Sequence, residues 1–189
     1  MASLIDPYVP TRRWRRAEYD RLVELGIFVG ERLELLDGLL AVREPQGSSH
    51  AAIVGQIGEA LRSAFGAGWH TRLQAPLALD DDSEPEPDVA VVAGEYRDYV
   101  SGHPSTAVAD SSLGLDRRLK GGLYARAGLP EYWIANLVEG VLEVHREPHP
   151  EPETAYGWVY RSVEILRPPA SVSPLGAPSS LIPVADLLP

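Results

Sequence analysis

Pro87-Asp88-Val89-Ala90-Val91-Val92 sets one carboxylate at the mouth of an almost wholly apolar run. A run without in-out alternation predicts a strand buried on both faces, and therefore a central strand of a sheet covered by helices on each side. Further on, Asp116-Arg117-Arg118-Leu119-Lys120 opens a helix that reads on to Tyr124. Leu115, Leu119 and Leu123 form one of its ridges, and Asp116, Lys120 and Tyr124 the adjoining one. A carboxylate at a strand mouth and a lysine on a neighbouring helix are ingredients of metal-assisted phosphodiester hydrolysis, in which a bound cation activates water. That chemistry wants a second carboxylate on the next central strand. The segment where it should lie, Ser105-Thr106-Ala107-Val108-Ala109, carries no acid and is barely long enough for a strand.

Working outward, residues 1–15 read as an extended arm, because Pro7 and Pro10 hold the backbone away from helix. A helix fits 16–25, with Tyr19, Leu22 and Val23 on one face and Gly26 as its stop. Two short strands follow about Asp37-Gly38, a strong short hairpin signal. In strict alternation Glu34 shares a face with Arg32 and Leu36. A longer helix is expected after Ser48-Ser49, either of which can cap it, since Ile53, Val54, Ile57, Leu61 and Phe65 recur at helical spacing. Strands are expected at 69–74, 77–79 and 88–93, with the acidic stretch 80–86 as a loop. The later segments 131–136, 141–146 and 158–165 read as an antiparallel meander. Segments 149–153 and 167–178 are rich in Pro, Ser and Ala and are expected to be loops. The expected class is α/β (α+β): a central mixed sheet flanked by helices, preceded by a helix and a hairpin. The expected division is an arm (1–15), one domain (16–166) and a tail with a short docking turn (167–189).

With 17 Lys and Arg against 27 Asp and Glu, the net charge of −10 argues against a chain that coats nucleic acid. Local basic clusters survive that average: Arg12, Arg13, Arg15 and Arg16 crowd Trp14, and Arg117, Arg118, Lys120 and Arg126 share one helix. The bland interpretation of both is a solvated face. The absence of cysteine excludes a disulfide or a thiolate zinc site, and with no signal-like start or membrane-length apolar run the expected location is cytoplasmic. His145 and His149 flank Glu147, but Pro148 and Pro150 forbid the helix that a zinc-protease pair would need. No Gly-rich phosphate loop and no nucleophile elbow is present.

Taken in order, Glu34-Leu35-Leu36-Asp37-Gly38, the helix beginning near His50, Glu86-Pro87-Asp88-Val89, Ala109-Asp110-Ser111-Ser112-Leu113, Asp116 to Lys120, and Leu123-Tyr124-Ala125-Arg126-Ala127-Gly128-Leu129-Pro130-Glu131-Tyr132-Trp133 resemble the bacterial Uma family. That family consists of restriction-endonuclease-like proteins of the PD-(D/E)XK nuclease superfamily. The resemblance spans about residues 11 to 165. It implies a DNA endonuclease dependent on Mg²⁺ or Mn²⁺, acting transiently on DNA and plausibly as a homodimer. It marks Asp88 as the metal-binding aspartate, Lys120 as the superfamily's lysine moved onto the helix, and Glu34 as an acid facing the site and assisting with the metal. Arg117, Arg118 and His50 are the implied nucleic-acid contacts. Simpler roles stand beside these: Lys120 as the i,i+4 partner of Asp116, Glu34 as a partner of Arg32, and His50 as a first-turn helix residue.

The chain departs from the family at one place. Relatives carry an apolar strand ending in Glu-Val just before Ala-Asp-Ser-Ser, and here Ala107-Val108 stands there without the apolar residues that precede it. Strand and glutamate are missing together. Asp110 lies beyond the lost position and on the opposite face, so only an odd register shift brings it in. The expectation is an impaired nuclease, or alternatively an inactive nuclease-fold module that binds or assembles, with a shortened replacement strand over 105–109 and weak metal binding.

Overall fold

The computed structural model describes residues 11–43, 45–107, 109–112 and 120–189, with 109–112 described by backbone alone. A first helix, α1 (Arg16–Glu24), is followed by the hairpin β1 (Leu33–Leu36) and β2 (Leu39–Val42), whose register pairs Glu34 with Ala41. Asp37 and Gly38 at its tip have φ of 49° and 78°, the two positive values that a type I′ turn requires. Helix α2 (Ser48–Phe65) comes next. Gly47 occupies its N-cap with no side-chain bond, so neither serine caps it and Ser48 is already helical.

Strands β3 (Trp69–Leu73), β4 (Val89–Ala93), β5 (Ala109–Ser112), β6 (Glu131–Asn136), β7 (Val141–Pro150) and β8 (Trp158–Leu166) form one six-stranded sheet in that order. Every pairing is antiparallel except β5 with β6, which is parallel and is bridged in sequence by α3 (Lys120–Arg126). The mixed α+β architecture with a central sheet is therefore present. Alternate residues of β4 enter two separate cores: Val89 and Val91 pack with Ile53, Val54, Ile57 and Leu61 of α2, while Ala90 and Val92 pack with Tyr124 and Ala125 of α3. Both faces are covered, which is why the strand needs no polar residue.

Three local expectations are corrected. Residues 77–79 form no strand; Leu77 is fully buried in a loop, and Ala78 donates its N–H to the Pro104 carbonyl at 2.9 Å. β7 extends to Pro150 where a loop was expected, because its register continues against β8 as far as Trp158. The replacement strand lies at Ala109–Ser112 and not over 105–109. Its register pairs Ala109 with Val91, Asp110 with Ala90 and Ser111 with Val89. Without an insert between β4 and β6, their facing N–H and C=O groups would go unpaired, so the next stretch of chain is drawn into the gap. Ala107 remains buried beside β4's α3-facing core but sits outside the ladder.

Past β8, the pair β9 (Ser171–Val172) and β10 (Ile182–Pro183) and a 3₁₀ turn at Val184–Asp186 run under α2. Val172, Ile182, Val184, Leu187 and Leu188 join the α2-side core, so these residues contribute packing as well as a turn. Of the expected arm, residues 1–10 lie outside those described. The expected helix start at Asp116, and with it Arg117 and Arg118, also falls outside them. No helix among the described residues is long and apolar enough to cross a membrane.

Candidate active site

Three acids and a lysine gather around the turn Glu86-Pro87-Asp88 that feeds β4. Glu34, on the middle of β1, is buried, and its carboxylate accepts from Lys120 Nζ at 2.9 Å and from the Glu86 N–H at 3.0 Å. Lys120 is the first described residue of α3 and is buried to the same degree, with the Glu86 carbonyl 3.5 Å from its ammonium. The hairpin and the helix are thus bolted together by a desolvated ion pair on one side of the turn.

Asp88 lies on the other side, 7% exposed. Its Oδ1 accepts from Gln46 Nε2 at 3.1 Å and lies 3.1 Å from His50 Nε2, 3.5 Å from Gln74 Nε2 and 3.7 Å from an Arg43 nitrogen. His50 lies in the first turn of α2 and Gln46 just before its N-cap, while Gln74 directly follows β3 and Arg43 directly follows β2. Arg43 also bonds the Glu86 carboxylate and so links the two halves of the cluster. Gln74 donates to Gln46 in turn, and its N–H bonds the Asp88 carbonyl at 3.0 Å.

Asp88, Glu34, Lys120 and His50 therefore all border the Glu86-Pro87-Asp88 turn. Lys120 pairs with Glu34, and His50 bears on Asp88. Arg43, Gln46, Gln74 and Glu86 were missed. Only Glu86 carried a signal, its place in the Glu-Pro-Asp triplet; the others are brought in by elements distant in sequence. Among the described residues no group of three His, Asp or Glu side chains is arranged to hold a metal.

A second acidic cluster lies beside the site. Glu84, 4% exposed, is pushed up to about 7, first by burial and then by Asp20, despite Arg16. The Tyr19 hydroxyl, bonded to the Leu33 carbonyl at 2.9 Å, rises to about 12 through burial and the nearby charges of Glu86, Glu84 and Glu34. The amino-terminal basic cluster is consumed by acids: Arg12 pairs with Glu18, Arg13 with Asp37, Arg15 with Asp82 and Arg16 with Asp20. Arg126 joins Asp37 at 2.7 Å and Asp80 at 2.8 Å, tying α3 to the hairpin and to the acidic loop. These arginines serve the fold.

A family model described as Uma2, "putative restriction endonuclease", matches residues 16–185. Among solved structures, one described as "a putative nuclease belonging to DUF820 from Anabaena variabilis" superposes with a TM-score of 0.61 at 16% identity. The match covers 82% of this chain and 88% of that one, which establishes likeness of fold. No curated protein matches the sequence.

Proposed function

Because the chain belongs to the Uma2 family of restriction-endonuclease-like proteins, we propose that it is a divalent-metal-dependent DNA endonuclease. It is weakened because Ala107 stands where the family pattern has a glutamate. What supports this reading most is the convergence of Glu34, Lys120 and Asp88 on a single turn, from three elements far apart in sequence.

Mg²⁺ or Mn²⁺ takes oxygen ligands and makes do with one or two carboxylates completed by water and substrate phosphate. The donors here fit that minimum and no more: Asp88 would hold the ion, with Glu34 the assisting acid. When bound, the ion supplies the positive charge that acidifies water and neutralises the phosphate. Lys120, fixed by Glu34, counters charge building on the phosphate oxygens. Gln46 and Gln74 orient the Asp88 carboxylate, and His50 Nε2 lies against the same oxygen that a cation would take.

A second reading, an inactive module that keeps the fold for binding or assembly, is favoured by a specific observation. Asp88 Oδ1 is already occupied by protein donors, and Glu34 is already neutralised by Lys120. Plasmid nicking by purified protein in Mg²⁺ and in Mn²⁺, beside Asp88→Asn, separates the two. Nicking that Asp88→Asn abolishes supports the endonuclease; equal traces in both proteins support the inactive module.

A further inference from the structure

Arg72 is a half-buried cation that meets no anion among the described residues. It sits on β3, one of the two edge strands of the sheet, paired in register with Ala90 of β4. Directly paired residues of an antiparallel ladder share a face, so Arg72 rises on the α3 side, the side of Ala90 and Tyr124. Among the described residues no carboxylate lies within ion-pair distance. Its guanidinium reaches only the Pro76 carbonyl and His103 Nδ1, each at 3.4 Å, and its Nε is buried with no hydrogen-bond partner. Burial pulls its pKa below the ordinary arginine value. Leaving a desolvated charge unpaired is costly, and in a chain where acids outnumber bases 27 to 17 an acidic neighbour would be easy to supply.

The surroundings repeat the pattern only in part, since Arg62 at the rim pairs with Glu59 and Arg72 alone meets no carboxylate among the described residues. A cleft of about 460 Å³ opens along the outer edge of β3, lined by Arg62, Thr71, Arg72, Leu73, Ala75 and Tyr96, with no acid among them. Thr71 Oγ1 is also buried without a partner. His103 faces Arg72 through Nδ1 and supplies no anion; burial first and then that guanidinium hold it below the usual imidazole value. Glu84 lies 3.9 Å from the far nitrogen of its ring, and the charges of Asp20 and Glu86 also bear on it. Two residues along from Arg72, Gln74 touches Asp88, so the cleft begins about 7 Å of strand from the proposed metal carboxylate.

We propose that Arg72, with Arg62 at the rim, is a phosphate-binding site that grips the DNA backbone about two phosphates from the scissile one, a reading that rests on the endonuclease assignment above. The guanidinium supplies fork-like donors matched to two phosphate oxygens, which a lysine would not reproduce.

The test is binding, not cleavage. Fluorescence anisotropy of a duplex oligonucleotide in EDTA, across a salt series, compares wild type with Arg72→Gln, Arg72→Lys, Arg62→Gln and the exposed control Arg97→Gln. Loss of one phosphate contact should flatten the slope of log K against log salt by about 0.9 and weaken binding by about tenfold at moderate salt. Arg72→Lys should recover only part of the loss, Arg62→Gln should give a smaller loss, and Arg97→Gln should match wild type. Melting curves exclude misfolding, and Arg62→Gln keeps the idea testable if Arg72→Gln does not fold. Unchanged affinity and slope in both arginine variants overturns the proposal. So does a parallel titration with inorganic phosphate that perturbs the Arg72 Nε–H NMR signal while wild type binds no DNA. Arg72-dependent DNA binding without cleavage keeps this site and rejects the nuclease reading. Arg72-independent binding with Asp88-dependent cleavage does the reverse.

Discussion

Replacing Glu34 by Gln removes the Glu34 carboxylate from Lys120 while leaving the chain volume and the acceptor for the Glu86 N–H almost unchanged. Both partners are nearly sealed from water, with side-chain exposures of 3% and 6% at 2.9 Å. Breaking such a buried pair from one side costs about 3–5 kcal/mol, because the remaining charge keeps its desolvation penalty. For a chain of 189 residues the unfolding entropy near 60 °C is about 0.4 kcal/mol/K, so Tm should fall by about 8–12 °C. Lys120→Met leaves the Glu34 carboxylate in the same position, with one backbone N–H as consolation, and should cost a similar amount. The double variant, Glu34→Gln with Lys120→Met, removes both charges and should lose less than either single change, giving a coupling energy of about 3 kcal/mol or more. Calorimetric melts of the four proteins read this directly. Single-variant losses under about 1 kcal/mol that simply add would show that water reaches the pair, and would refute a sealed junction between hairpin and helix.

Two other consequences follow from the same geometry. Burial pushes the folded pKa of Glu84 up to about 7 from the ordinary 4.5, so the native state binds its proton more tightly than the unfolded chain. Its contribution is complete below the unfolded value and is lost as pH rises through the folded one; Tm should decline between pH 5 and 7, and Glu84→Gln should flatten that decline. An unaltered Tm-pH profile would mean the carboxyl is solvated. Inserting an apolar segment ending in glutamate ahead of Val108 should lengthen the four-residue β5, raise Tm and increase Mg²⁺-dependent nicking. A lower Tm in the lengthened protein would show that Ala109–Ser112 already satisfies the gap.

Much of the frame was legible because it is written locally. The Asp37-Gly38 turn, the α2 stripe and the Val89–Ala93 run each declare their conformation within a few residues, and the family resemblance locates Glu34, Asp88 and Lys120. The position of β5 was not legible, since Ala109-Asp110-Ser111-Ser112 has no strand-forming composition. It is held by the unpaired edges of its neighbours, a demand that exists only in three dimensions. Arg43, Gln46 and Gln74 escaped notice for a related reason: each is an ordinary polar residue until folding brings it against Asp88. The segment from Arg167 onward hid its apolar contacts in a Pro- and Ser-rich context, although Val172, Ile182, Val184 and Leu187 are all buried.

The most direct trial of the proposed site is anomalous scattering from crystals soaked in Mn²⁺, wild type beside Asp88→Asn. The expected result is one peak at coordination distance from the Asp88 carboxylate, with His50 or Arg43 turned aside to admit it, and no peak in the variant. A map with no peak at Asp88, its carboxylate still held by Gln46 and His50 under saturating Mn²⁺, would contradict a metal-dependent nuclease.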